Sequence, residues 1–100
     1  MTPLYAEIHG WAATPYLLGV SDCGLVVFDW VRKVRGGADP AEDIRGLYDD
    51  PASLQRLTGW YRDPIAAFGS RLERVGCRRV QAAEPGDVAV VIQRADPRRR

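Results

Sequence analysis

Between residues 23 and 34 the apolar positions recur at helical spacing. Cys23, Val26, Val27, Trp30, Val31 and Val34 fall at i, i+3, i+4, i+7, i+8 and i+11, and Leu25 and Phe28 widen the stripe. The polar exceptions, Asp29, Arg32 and Lys33, gather toward the far end. This pattern predicts a helix over about 23–35 whose first half is buried nearly all round and which anchors the core. Burial of such side chains stabilises by about 1.5–3 kcal/mol each. Ser21 or Asp22 supplies the N-cap, and Gly36-Gly37 supplies the stop.

Three Asp-Pro pairs punctuate the middle of the chain: Asp39-Pro40, Asp50-Pro51 and Asp63-Pro64. An Asp at N-cap accepts a hydrogen bond from an otherwise unpaired backbone N–H, and a Pro at the next position needs no donor and already has a helical φ. These pairs predict short helices at about 40–48, 51–59 and 64–75, with Glu42 placed to complete a capping box on the first. "YAEIHGW" reads as a short helix ending at Gly10, with His9 at its C-terminus. Past Gly76 the period changes. "CRRVQA" alternates weakly, "EPGD" is a turn, and "VAVVIQ" is a β-branched run, which predicts two antiparallel strands at about 77–82 and 87–93 with Trp30 packed against the second. A basic tail, 94–100, follows. The expected fold is therefore a small α+β domain, helices first and a short antiparallel sheet last.

One hundred residues with 46% hydrophobic and 27% charged content is the size and balance of one folded domain, so 1–100 reads as a single unit. A net charge of +1 provides no general field to attract nucleic acid or anionic lipid, and no apolar run is long enough to span a bilayer. No secretory leader is visible at the N-terminus, so Cys23 and Cys77 are expected as free thiols. A lone His9 and two distant cysteines match no zinc spacing, and no metal or cofactor is implied.

Cys23 has two roles open to it. A thiol in the first turn of a helix lies among outward-pointing N–H groups and the positive end of the helix dipole, which favour thiolate and can stabilise the oxyanion formed when a thiolate attacks an acyl carbon. Cysteine is also among the most buried residue types, and Cys23 lies on the apolar stripe, so it equally fits a core position.

"TPYLLGVSDCGLVVFDWV" resembles the nucleophile segment of the NlpC family of papain-like cell-wall cysteine peptidases, matching it at Tyr16, Gly19, Asp22, Cys23, Gly24 and Leu25 but without the Ser that commonly follows the Cys. "EPGDVAVV" resembles the Pro-Gly-Asp turn and strand that precede the family's histidine strand. "GGADPAEDIRGLYDDPASLQRL" is similar to a phage-encoded branch of that superfamily, through Gly37, Asp39, Pro40, Ala41, Arg45, Gly46 and Tyr48. The resemblance implies a truncated papain-like half-barrel and a phage or prophage-type cell-wall amide hydrolase, or a tail-associated derivative of one. It assigns Cys23 as nucleophile and Tyr16 to the oxyanion site; Asp22, on its place before the helix, is the structural cap. Peptidoglycan peptide or other phage structural proteins are the implied partners, with pairing at the edge of strand 87–93. The implied location is the cytoplasm of the producing cell or the virion. The family's general base is a His after the Pro-Gly-Asp turn, but no His follows Cys23 here, which leaves only His9, upstream and in reverse order, as an imidazole in this chain. The competing expectation is a catalytically inactive virion or tail component with the same fold.

Overall fold

The computed structural model describes residues 2–91. It contains four helices in chain order, α1 Pro3–Ala13, α2 Cys23–Arg35, α3 Pro51–Thr58 and α4 Pro64–Arg74. The architecture is all-α, with no strand among the described residues, and this overturns the expected α+β fold and its papain-like sheet. Residues 77–82 and 87–91 are irregular; residues 92–93 of the expected second strand and the basic tail 94–100 lie outside the described residues. The β-branched composition of this segment was real, but a strand exists only through ladder bonds to a neighbour, and none forms here. The segment is held instead by its turn, by the Arg79–Glu73 pair to α4 at 3.2 Å and by Trp30 of α2. The Glu84 N–H donates to Asp87 Oδ2 at 2.8 Å and the Asp87 N–H to the Glu84 carbonyl at 3.0 Å, with Gly86 at φ 95°. The Trp30 indole N–H donates to the Gly86 carbonyl at 2.9 Å.

α2 is the most buried helix among the described residues, carrying Leu25, Phe28 and Val31 into the interior. Its buried stripe is narrower than the expected one. Cys23 is exposed, Val34 is 61% exposed, and Val26, Val27 and Trp30 are only half-buried. The core joins Leu25 and Phe28 to Ala41, Ile44 and Tyr48, with Leu18, Leu54, Phe68 and Leu72 packed around them. Phe68 of α4 stacks on Phe28 and leans on Trp60, both at 4.6 Å between ring centroids.

Two of the three Asp-Pro starts form as expected. Asp50 accepts from the Ser53 N–H at 2.7 Å in a capping box closed by Ser53, and Asp63 accepts from the Ala66 N–H at 3.1 Å. Asp39-Pro40 starts no helix: residues 40–46 are a succession of turns ended by Gly46 at φ 72°. Its carboxylate is taken by Arg45, at 2.6 Å from Nε and 3.0 Å from Nη2, and it caps only as far as the Ala41 N–H at 3.0 Å. Glu42 is exposed and closes no capping box. Arg71 and Arg74 of α4 then donate to the Pro40 carbonyl at 3.1 and 3.0 Å, fastening this turn segment to the helix behind it.

α1 also departs from expectation. It continues through Gly10 to Ala13, so His9 lies inside the helix rather than at its end. Thr2 caps it through the Tyr5 N–H at 3.2 Å, and Pro15 restricts Thr14 to extended backbone just past its end. None of its residues is buried; Glu7 ties it to α2 through Lys33 at 2.6 Å.

The Trp30–Gly86 bond is the attachment of the 84–87 turn to the helices. Trp30→Phe keeps an aromatic ring and removes the donor, so the expected cost is about 0.5–1.5 kcal/mol. Amide exchange should accelerate chiefly at Glu84 and Asp87, whose N–H groups close the turn, with the α2 core little changed; uniform acceleration through α2 would contradict this placement.

Candidate functional site around Cys23

The loop from Thr14 to Asp22 brings the chain back to the start of α2, and Asp22 organises it. This side chain is only 4% exposed. Its Oδ1 accepts from the Leu25 N–H at 2.9 Å, which is the helix N-cap. Its Oδ2 accepts from the Gly19 N–H at 2.8 Å and the Tyr48 hydroxyl at 2.5 Å. One buried carboxylate thus ties together the loop, the helix start and the 39–48 turn segment. Ser21 is not the cap: its hydroxyl donates to the Pro15 carbonyl at 2.6 Å and closes the loop on itself.

Two glycines permit this packing. Gly19 has φ 85°, and a Cβ built on it would lie 1.9 Å from the Tyr48 carbonyl oxygen. Its own carbonyl accepts from the Gly46 N–H at 2.8 Å, so the two loops run edge to edge. At Gly24 a Cβ would lie 2.5 Å from Cζ of Phe68, whose ring is held by Phe28 and Trp60. The Asp-Cys-Gly sequence therefore reads physically as a buried cap, a presented thiol and a close helix contact.

Cys23 occupies the first position of α2 and is exposed, which removes the core role left open by its sequence position. Cys77, half-buried after α4, is the second free thiol. Asp22 consumes the Leu25 N–H, while the Cys23 and Gly24 N–H groups meet no acceptor among the described residues. Exposed N–H groups at a helix start can receive a developing negative charge.

Tyr16 is 68% exposed. Desolvation, then the neighbouring charges of Cys23 and Asp22, raises its hydroxyl above the ordinary phenol range. Burial and the bond to Asp22 push the Tyr48 hydroxyl up further. His9 is exposed and has no hydrogen bond or ion pair among the described residues. Its neighbour Glu7 meets Lys33, about 15 Å along α2 from Cys23 at 1.5 Å per residue, so α1 lies toward the far end of the helix. Asp22 and Cys23 adjoin at the start of α2 with Tyr16 on the loop before them, and His9 makes no polar contact with any of the three among the described residues.

Two open hollows, of about 510 and 400 Å³, sit at the C-terminal end of α2 against Arg32 and Gly37, away from Cys23. Of the charges that line them, Arg45 pairs with Asp29 and Asp39, and Lys33 with Glu7. The Arg45 guanidinium holds the Asp39 carboxyl below its ordinary value. Among the described residues no cluster of three His, Cys, Asp or Glu could hold a metal ion, and no helix is long and apolar enough to cross a membrane.

Residues 2–98 match the family described as "Domain of unknown function (DUF6950)". The chain belongs to the DUF6950 family. No curated protein and no solved structure matches it. In this DUF6950 chain the residue missed from sequence is Tyr48. It was visible only as part of the Arg-Gly-x-Tyr block, with no periodicity or charge to mark it, because its role depends on a partner 26 residues away.

Proposed function

We propose that the protein is an NlpC-like cysteine amide hydrolase of phage or prophage type, or a tail-associated derivative of one, with Cys23 as nucleophile. The observation that carries this reading is the exposed thiol at the first position of α2, beside two N–H groups that meet no acceptor among the described residues. The resemblance of the Asp-Cys-Gly-Leu segment to the nucleophile segment of that family adds to it. The thiolate attacks the amide carbonyl carbon and forms a C–S bond, while the oxyanion lies against the Cys23 and Gly24 N–H groups. The C–N bond then breaks, the amine leaves with a proton from an acid, and water hydrolyses the thioester. Peptidoglycan peptide is the substrate class, and the protein acts in the producing cell or from the virion.

The acid and base are not supplied beside Cys23 by the described residues, and that observation favours the second reading, an inactive virion or tail component with an identical fold. Edge pairing at residues 87–93 has no support, since no strand forms at 87–91. Proton transfer of this kind contributes typically 10²–10⁴-fold. Free imidazole in solution can stand in for the missing group. Slow cleavage of cell-wall peptide by the purified chain is expected to rise with imidazole concentration and to vanish in Cys23→Ala. Absence of cleavage at every imidazole concentration favours the structural component, and cleavage that survives Cys23→Ala removes the nucleophile assignment.

A further inference from the structure

We propose that Tyr48 is a positioning residue for Cys23, acting through Asp22: its hydroxyl offsets the buried carboxylate beside the thiol and locks the 14–22 loop against the start of α2. The inference rests on Cys23 being the reacting group of the proposed function, but its test reads thiol chemistry and not hydrolysis.

Three observations carry it. First, Asp22 is buried and faces three donors, of which the Gly19 and Leu25 N–H groups belong to its own local turn and only the Tyr48 hydroxyl comes from a distant part of the chain. Second, Tyr48 is itself 5% exposed and sits on a segment braced from two sides, so its hydroxyl is delivered by a fixed frame. Arg45 pairs with Asp39 at 2.6 Å and with Asp29 of α2 at 2.7 Å, and Arg71 pairs with Asp43 at 2.6 Å. Third, the loop carbonyl of Gly19 accepts from the Gly46 N–H at 2.8 Å, so the backbone of the segment holds the same loop that the hydroxyl holds. The Asp-Pro-Ala and Arg-Gly-x-Tyr blocks thereby acquire a shared role: they build a clamp that closes on the Asp-Cys-Gly turn.

The titratable groups tied to the start of α2 are Asp22, adjacent to Cys23 in the chain, and Tyr48, which donates to it, with Tyr16 on the preceding loop. A carboxylate next to a thiol disfavours thiolate, and a hydrogen bond donated to that carboxylate spreads and offsets its charge. Removing the Tyr48 donor therefore exposes Cys23 to more of the Asp22 charge. Removing the Asp22 charge abolishes any effect of Tyr48 that passes through it.

The test is the pH–rate profile of Cys23 alkylation by iodoacetamide in the wild type, Tyr48→Phe, Asp22→Asn and the double variant. Tyr48→Phe should move the profile to higher pH, slowing alkylation at neutral pH roughly two-fold. Asp22→Asn should move it to lower pH, and adding Tyr48→Phe to Asp22→Asn should change nothing further. Superimposable wild-type and Tyr48→Phe profiles overturn the proposal, as does a Tyr48→Phe shift that persists in the Asp22→Asn background. If Tyr48→Phe fails to fold, Asp22→Asn decides alone: an unmoved profile shows that the carboxylate is not felt at Cys23 and ends the proposal.

Discussion

Asp22→Ala is expected to destabilise the protein by about 3–5 kcal/mol, because it strips the acceptor from buried donors at about 1–3 kcal/mol each and removes a helix N-cap worth roughly 0.5–2 kcal/mol. The donors left behind are the Gly19 N–H, the Leu25 N–H and the Tyr48 hydroxyl, and all three bonds are buried. A domain of this size has roughly 5–15 kcal/mol in total, so the variant should show a much lower denaturation midpoint. Asp22→Ser restores the cap to Leu25 alone and should recover only that part. A loss below about 1 kcal/mol in urea denaturation, on the scale of a surface change, would mean that the carboxylate is not the tie between loop, helix and clamp.

Gly19→Ala should also be severe, at about 2–5 kcal/mol, from left-handed backbone strain of roughly 1–2 kcal/mol and overpacking of roughly 1–3 kcal/mol. The offending neighbour is the backbone carbonyl of Tyr48, 1.9 Å from where the Cβ would stand, and a backbone oxygen cannot swing aside as a side-chain tip can. Gly37→Ala is the matched control, since a Cβ there meets nothing within 4 Å and its φ is not positive. It should change stability by no more than about 0.5 kcal/mol. Equal midpoints for the two variants would contradict the close approach of loop and clamp.

What the sequence made legible was local. Asp50-Pro51 and Asp63-Pro64 announce helices because cap, proline and first-turn N–H lie within four residues of one another, and the Gly36 and Gly59 stops need only a residue that accepts positive φ. The "EPGD" turn is legible for the same reason. Asp39-Pro40 carries an identical dipeptide and fails, because Arg45 captures the carboxylate and Gly46 turns the chain before a helix can propagate. The α2 stripe was legible in part: Leu25, Phe28 and Val31 are buried as expected, whereas Cys23 and Val34 are exposed and Val26, Val27 and Trp30 half-buried, because the interior contributed by Ala41, Ile44 and Tyr48 covers only one side of the stripe. Residues 77–91 looked like strands in composition, yet strand formation depends on a partner that composition does not specify. At the site, Asp22 was foreseen as a cap from its position next to the apolar run. Its second and third bonds were not, since they depend on where Gly19 and Tyr48 arrive in space.

The central claim is that Cys23 is a presented nucleophile with its own oxyanion donors, and acylation by a p-nitrophenyl ester tests it most directly. The nitrophenolate departs without taking up a proton, so acylation proceeds without the acid that the described residues do not place at the site. Mass spectrometry of the quenched native protein should find one acyl group, on Cys23 and not on Cys77, released with about one nitrophenolate per chain and absent in Cys23→Ser. No adduct on Cys23, or acylation of Cys23 and Cys77 at equal rates, would contradict the account.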